Sequence, residues 1–90
     1  MRTVFLGQFL RDLDKIKEKK MKNRVEEIIQ QIENADVSGD IRNLKKLKGH
    51  SIAYRIKVGS YRIGVFIEND VVEFARFVHR KDIYKKFPGT

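Results

Sequence analysis

No cysteine occurs among the 90 residues of the chain. That absence excludes disulfides and thiolate metal sites, and it fits a cytoplasmic protein. There is also no run of about 18 apolar residues, so no membrane-spanning helix is expected. The N-terminal MRTVFLGQFLRDLDK has only a short apolar patch before charges interrupt it. A secretion signal would need a long apolar core and a small-residue cleavage site. The two histidines and the scattered carboxylates show no metal-ligand spacing, so neither a metal nor a cofactor is expected. Repeats, low-complexity segments and linkers are missing too, and residues 1–90 are read as one domain with one modest core.

Acidic side chains are in deficit. Lysine and arginine number 20 against 12 aspartates and glutamates, a formal net charge of +8. The excess is even: residues 1–50 carry 12 basic and 8 acidic side chains and residues 51–90 carry 8 and 4, so each part is +4. No isolated basic tail accounts for it. Hydrophobic residues make up 41%, enough for a packed core and against disorder. A small, folded, basic domain suggests a polyanionic partner: RNA, DNA or an acidic protein.

RTVFL (Arg2 to Leu6) reads as a short first strand ended by Gly7. Phe9, Leu10, Leu13 and Ile16 then recur at helical spacing, predicting a helix over about 8–19. Met21, Val25, Ile28, Ile29 and Ile32 predict a second, with Asn23 as a candidate cap. So short a link between them predicts a helical hairpin. ENADVSGD (Glu33 to Asp40) is read as a loop, and IRNLKKLKGH as an ordered approach to the sheet. From Ile52 the period becomes two. IAYRIKV, YRIGVFIE and VVEFARFVH are strand candidates separated by the turn pairs Gly59-Ser60 and Asn69-Asp70. RKDIYKKFP can form one helical turn before Pro88. The expected fold is α+β: an antiparallel sheet of about four strands on an N-terminal helical hairpin, in the order β-α-α-β-β-β.

If Gly59-Ser60 closes a two-residue loop, Val58 pairs with Tyr61, Lys57 with Arg62, Ile56 with Ile63, Arg55 with Gly64 and Tyr54 with Val65. Tyr54, Ile56, Val58, Tyr61, Ile63 and Val65 then share the core face. Arg55, Lys57 and Arg62 share the other, with Lys57 and Arg62 directly opposed at a penalty on the order of a few tenths of a kcal/mol. Two readings of this face stay open. Antiparallel sheets commonly show one polar face to water. Against that, the face holds only cations near the turn, and Gly64 leaves a gap beside Arg55, as a floor for a bound group would. Carried through Asn69-Asp70, the register pairs Arg62 with Phe77 on this face, where Phe77 would offer a ring for base stacking. The same register sends Arg76 into the core, which argues instead for a bulge that makes Phe77 a core residue.

LKGHSIAYRIKVGSYRIGVFIENDVVEFARFVHRKDIYKKFP (Leu47 to Pro88) resembles the RelE/ParE superfamily of type II toxin–antitoxin toxins. The matching elements are LKG, YRIKVGSYRI and HRKDIY, and FLRDLDKI with the second helix fits the family's layout, so the likeness spans nearly the whole chain. It implies a compact toxin held inactive by an antitoxin, expected to be a small acidic protein with an amphipathic helix. In the RelE-like branch it implies a toxin that enters the ribosomal A site and cuts mRNA without a metal. The ribose 2′-OH attacks the adjacent phosphate and leaves a cyclic phosphate and a 5′-OH. The resemblance carries the two basic residues of the family's second strand onto Arg55 and Lys57, and its phosphate-holding arginine onto Arg62. The arginine after the last strand falls on Arg80 and the C-terminal tyrosine on Tyr84. Where RelE-like toxins have the first of two lysines, this chain has Arg55, a poor base because it stays protonated. The alternative is a ParE-like toxin that binds DNA gyrase and cuts nothing; that branch generally lacks the full basic-plus-tyrosine set.

The residue types suit the chemistry by themselves. Cleavage loads negative charge onto a pentacoordinate phosphate, and fixed cations aimed at it lower the barrier. Arg62 can hold phosphate oxygens bidentately. A lysine crowded by Arg55 and Arg62 has its charged form disfavoured, so Lys57 can accept the 2′-OH proton. Arg80 can stabilise the leaving oxygen, Tyr84 can orient the nucleophile, and His79 titrates near neutrality and can serve as acid or base. Lys81 completes the expected RNA-binding set of Arg55, Lys57, Arg62 and Phe77. Each has a plainer alternative: Tyr84 packs with Ile83 and Phe87, His79 ends a strand, and Arg80 and Lys81 belong to a solvated run. KIKEKKMKNR either solvates the helical hairpin or grips ribosomal RNA phosphates.

Overall fold

The computed structural model describes residues 1–89. Along it the chain forms β1 (Arg2–Phe5), α1 (Gly7–Asp14), α2 (Lys19–Asn34), β2 (Leu44–Lys46), β3 (Ala53–Val58), β4 (Tyr61–Glu68), β5 (Val71–His79) and α3 (Ile83–Lys86), with a 3₁₀ turn at Ser38–Asp40. The fold is α+β, with a five-stranded sheet in the order β1-β5-β4-β3-β2. It departs from the expected sheet in two ways. β2, inside the stretch read as an approach, pairs antiparallel with β3. β1 pairs parallel with β5, from Arg2 opposite Val71 to Phe5 opposite Phe74, so the sheet is mixed. Nothing in a four-residue strand dictates the direction of its partner; the open edge of β5 receives it.

The two tight turns set the register of the rest. Gly59 has φ of 59° at the first central position of its turn, and Asn69 and Asp70 have φ of 51° and 64°. Positive φ of this kind matches the right-handed twist of the flanking strands. The β3–β4 pairing follows the expected register throughout, including Arg55 with Gly64 and Lys57 with Arg62. The β4–β5 pairing follows it as far as Val65 with Phe74, then slips by one. Beyond that bulge Gly64 faces Arg76 and Ile63 faces Phe77. Phe77 therefore turns to the helix side, where it is 2% exposed and stacks on Tyr61 at 5.0 Å. The expectation that Phe77 stacks on a base fails, since no ring face is open. The physical reason is Arg76. Unbroken alternation would sink its charge in the core, whereas the extra residue leaves it within reach of Asp12, with Nε 2.7 Å from Oδ2 and Nη2 3.2 Å from Oδ1.

On the helix side, Met21, Val25 and Ile32 of α2 and Phe9 of α1 pack on Ile56, Val58, Ile63, Val65, Val72 and Phe74. Met21, Val25, Ile28 and Ile32 recur at intervals of four, three and four, which keeps them on one helical stripe. α2 starts at Lys19, so Asn23 lies inside it and caps nothing. Beginning before Met21 lets that side chain join the stripe. The Met1 ammonium donates to the carbonyls of Ile32, Glu33 and Ala35 at 3.3, 3.1 and 2.6 Å. Orphan carbonyls at a helix C-terminus are thereby satisfied by a cation.

The opposite face of the sheet is half covered. Leu47, Ala53, Ala75, Val78, Ile83 and Phe87 form a second, smaller core there, with Phe66 packed against it. α3 is a single turn, too short to persist alone. Its buried Ile83, and the buried Phe87 just past its end, dock it on the sheet, each burial worth about 1.5–3 kcal/mol. The gap at Gly64, read from the sequence as a floor for a bound group, is filled by the Phe87 ring. Among the described residues no helix is long and apolar enough to cross a membrane.

Candidate active site

The uncovered half of that face carries the cations. β3 presents Arg55 and Lys57 beside Arg62 of β4. Lys57 directs its backbone N–H away from β4, to Asn43 O at 3.3 Å. Its pair with Arg62 is thus the non-hydrogen-bonded kind, whose Cα atoms approach to about 4.5 Å and whose side chains are closest. The opposed register of Lys57 and Arg62 read from the sequence is therefore present.

Arg62 is held in place by its own turn. Its Nη1 donates to Gly59 O at 2.9 Å and to Tyr61 O at 2.8 Å, leaving the rest of the guanidinium for a ligand. Burial, followed by the charges of Arg55 and Arg80, holds Arg62 below the usual arginine value; Tyr84 acts in the opposite direction. These are the groups that surround it. Arg80 arrives because its backbone N–H bonds Ser60 O at 2.9 Å, which ties the end of β5 to the β3–β4 turn. Tyr84 arrives on α3 and is 67% exposed, so it does not pack its ring with the buried Ile83 and Phe87. The structure thus brings Arg55, Arg80 and Tyr84 around Arg62, with Lys57 opposite Arg62 in the ladder.

His79 is not among them. It pairs with Tyr61 and sets its ring edge-on to that side chain at 5.7 Å, on the helix side of the sheet. Its Nδ1 accepts a hydrogen bond from the Lys81 N–H at 3.2 Å. His79, expected beside Arg80 as an acid or base, is instead placed against Tyr61: with the sheet's alternation intact at the end of β5, its side chain lies on the face opposite Arg62. Lys81 is exposed on the turn next to Arg80. Lys45 was missed by sequence reasoning. β2 places it directly opposite Arg55 and extends the row of positive charge. The one available signal was the Leu44-Lys45 alternation, too short to identify as a strand.

The arrangement can grip a phosphodiester and offset extra negative charge on it. A phenol at its border can donate or accept a proton. Among the described residues no three histidine, aspartate or glutamate side chains cluster as a metal site would require.

Residues 4–84 match the family described as the ParE toxin of type II toxin–antitoxin systems, parDE. The chain is 37% identical over 89 residues to Toxin RelE3 of Methanocaldococcus jannaschii, covering 98% of this chain and 100% of that protein. Its structure resembles a chain of the RelB-RelE antitoxin–toxin complex from Methanococcus jannaschii, with a TM-score of 0.80 and 35% identity, covering 94% of this chain and 99% of that one. A chain of the archaeal RelE-RelB complex from Pyrococcus horikoshii OT3 shares the fold, with a TM-score of 0.73 and 21% identity over 91% of this chain and 97% of that one.

Proposed function

The chain belongs to the RelE/ParE superfamily of type II toxin–antitoxin toxins, and from that premise we propose that it cuts mRNA on the ribosome as an endoribonuclease. One observation carries the reading: Arg62 of β4 is within reach of the charges of Arg55, Arg80 and Tyr84. The ribose 2′-oxygen attacks the adjacent phosphorus, forming the new P–O bond of a cyclic phosphate as the bond to the 5′-oxygen breaks. Arg55 and Arg62 offset the charge that builds on the phosphoryl oxygens, and Arg80 that on the departing 5′-oxygen. The 2′-OH proton passes to Lys57 or to Tyr84, and the leaving oxygen takes a proton from solvent to end as a 5′-OH. Loss of the rise of the rate with pH in Lys57→Ala or in Tyr84→Phe identifies which of the two accepts it.

The basic stretch from Lys15 to Arg24 supports a contact with ribosomal RNA. Arg24 abuts the turn that holds Arg62: its Nη1 would stand 3.1 Å from a Cβ at Gly59. The partner in the resting cell is a small acidic antitoxin that covers the cationic face, and the site of action is the cytoplasm. The similar archaeal chains come from complexes of RelE with RelB. Identity to RelE3 along the full length supports this reading over gyrase binding.

Translation reactions with mapped mRNA ends test it. Cuts inside codons, appearing only with ribosomes, are the expected result. Arg62→Ala is expected to lower the cleavage rate about 10²–10³-fold, the usual effect of removing one preorganised stabiliser. Inhibition of gyrase supercoiling without any RNA cut would overturn the assignment.

A further inference from the structure

Gly64 has an extended backbone with no positive φ, so its conformation does not require glycine. Space does. A Cβ built there would lie 2.7, 2.8 and 2.9 Å from Cγ, Cδ2 and Cδ1 of Phe87. Real Cβ atoms do not sit so close, and the obstacle is a ring, not the loose end of a flexible chain. Phe87 is 2% exposed and leans on Phe66 with ring centroids 5.0 Å apart. Gly64 cannot retreat, because β3 and β5 pair with it on both sides.

What rides on this contact is α3. Ile83 within it and Phe87 just past its end, four residues apart, are its buried anchors, and Tyr84 is exposed. Arg76 reaches Lys86 O at a long 3.5 Å, a weak additional tie. With a single turn of helix and so few anchors, the place of Tyr84 depends on how deeply Phe87 seats. We infer that Gly64 and Phe87 are positioning residues: the ring, lodged where β4 has no side chain, sets Tyr84 against the arginine cluster. The inference rests on the endoribonuclease reading for its consequence, but the seating itself can be tested without it.

The test compares Gly64→Ala, Phe87→Leu, the double variant and Tyr84→Phe in single-turnover cleavage of ribosome-bound mRNA. Gly64→Ala is expected to slow cleavage tenfold or more, with binding to the ribosome changed less than twofold. Adding Tyr84→Phe to Gly64→Ala should cost little further, because both act through the same side chain. Phe87→Leu, which removes ring atoms from the clash, should restore part of the rate lost in Gly64→Ala. Hydrogen exchange supplies an independent reading. The amides of Lys85, Lys86 and Phe87, bonded to Asp82 O and Ile83 O, should lose protection in Gly64→Ala while the β3–β4 ladder keeps its own. Unchanged protection, or full cleavage despite lost protection, would overturn the inference. Fully additive losses for Gly64→Ala and Tyr84→Phe would do the same. A wild-type protein that leaves mRNA intact while Gly64→Ala still deprotects α3 would refute the ribonuclease reading and leave the seating upheld.

Discussion

Asp12 shows how one residue can tie the molecule together. Its carboxylate accepts from Arg76 Nε and Nη2, from the Phe77 N–H at 3.0 Å and from Gln8 Nε2 at 2.9 Å. Burial by itself would raise its pKa; the bonds from Arg76, Phe77 and Gln8 outweigh that and hold it below the usual value. A carboxylate with a lowered folded-state pKa stabilises the fold above its unfolded value of about 4, and that contribution disappears as the pH falls through the folded-state value. Asp12→Ala leaves the partly exposed Arg76 and the Phe77 N–H unpaired, and should destabilise by about 2–3 kcal/mol at pH 7. Urea midpoints of the two proteins should converge below pH 4; a gap that stays constant down to pH 2.5 would contradict the charge-based account. No pattern in the sequence pointed to this residue, because its partner lies 64 positions away. Arg55, Lys57 and Arg62 were legible, since a two-residue turn fixes what faces what nearby.

Among the elements, the β4–β5 hairpin shows both how far local rules reach and where they stop. Asn69-Asp70 was identified as a turn because both residues tolerate left-handed backbone. Asp70, at φ of 64°, is the sharper test. Asp70→Gly should retain or raise stability, whereas Asp70→Val should lower it by about 1–2 kcal/mol, measured as the shift in urea midpoint. Equal midpoints would mean that the turn relaxes out of the left-handed region. Where Phe74 to Arg76 of β5 lie opposite Val65 and Gly64 of β4, a bulge undoes the same register. The turn specifies pairing near itself, but the burial of Phe77 against Tyr61 and the pull of Asp12 on Arg76 decide it beyond. That is also why His79 lies on the helix side and Arg80 reaches the site. The parallel seating of β1 had no local signature at all.

For the whole molecule, the balance of charge matters most. The net charge is +8, and Arg76–Asp12 is the one ion pair among the described residues. Repulsion among cations is therefore mostly unrelieved in the free protein and is screened only by salt. The thermal midpoint should rise between 10 and 200 mM KCl, and rise further with a short RNA, since a ligand of the folded state stabilises it by mass action. A midpoint that falls with added salt would show that hidden favourable pairs dominate. Binding to RNA should weaken steeply over the same range as counterions compete for the phosphates.

The sequence by itself determined the α+β class, the helical stripe of Met21, Val25, Ile28 and Ile32, the two tight turns and the opposed cations of the β3–β4 hairpin. All of these depend on neighbours within a few positions, where backbone geometry leaves little choice. Only the tertiary structure decided the direction of β1, the fate of Phe77 and His79, the addition of Lys45 and the filling of the Gly64 gap by Phe87. Those outcomes follow from burying rings and pairing charges between segments far apart in the chain, and no local period encodes which distant side chain arrives.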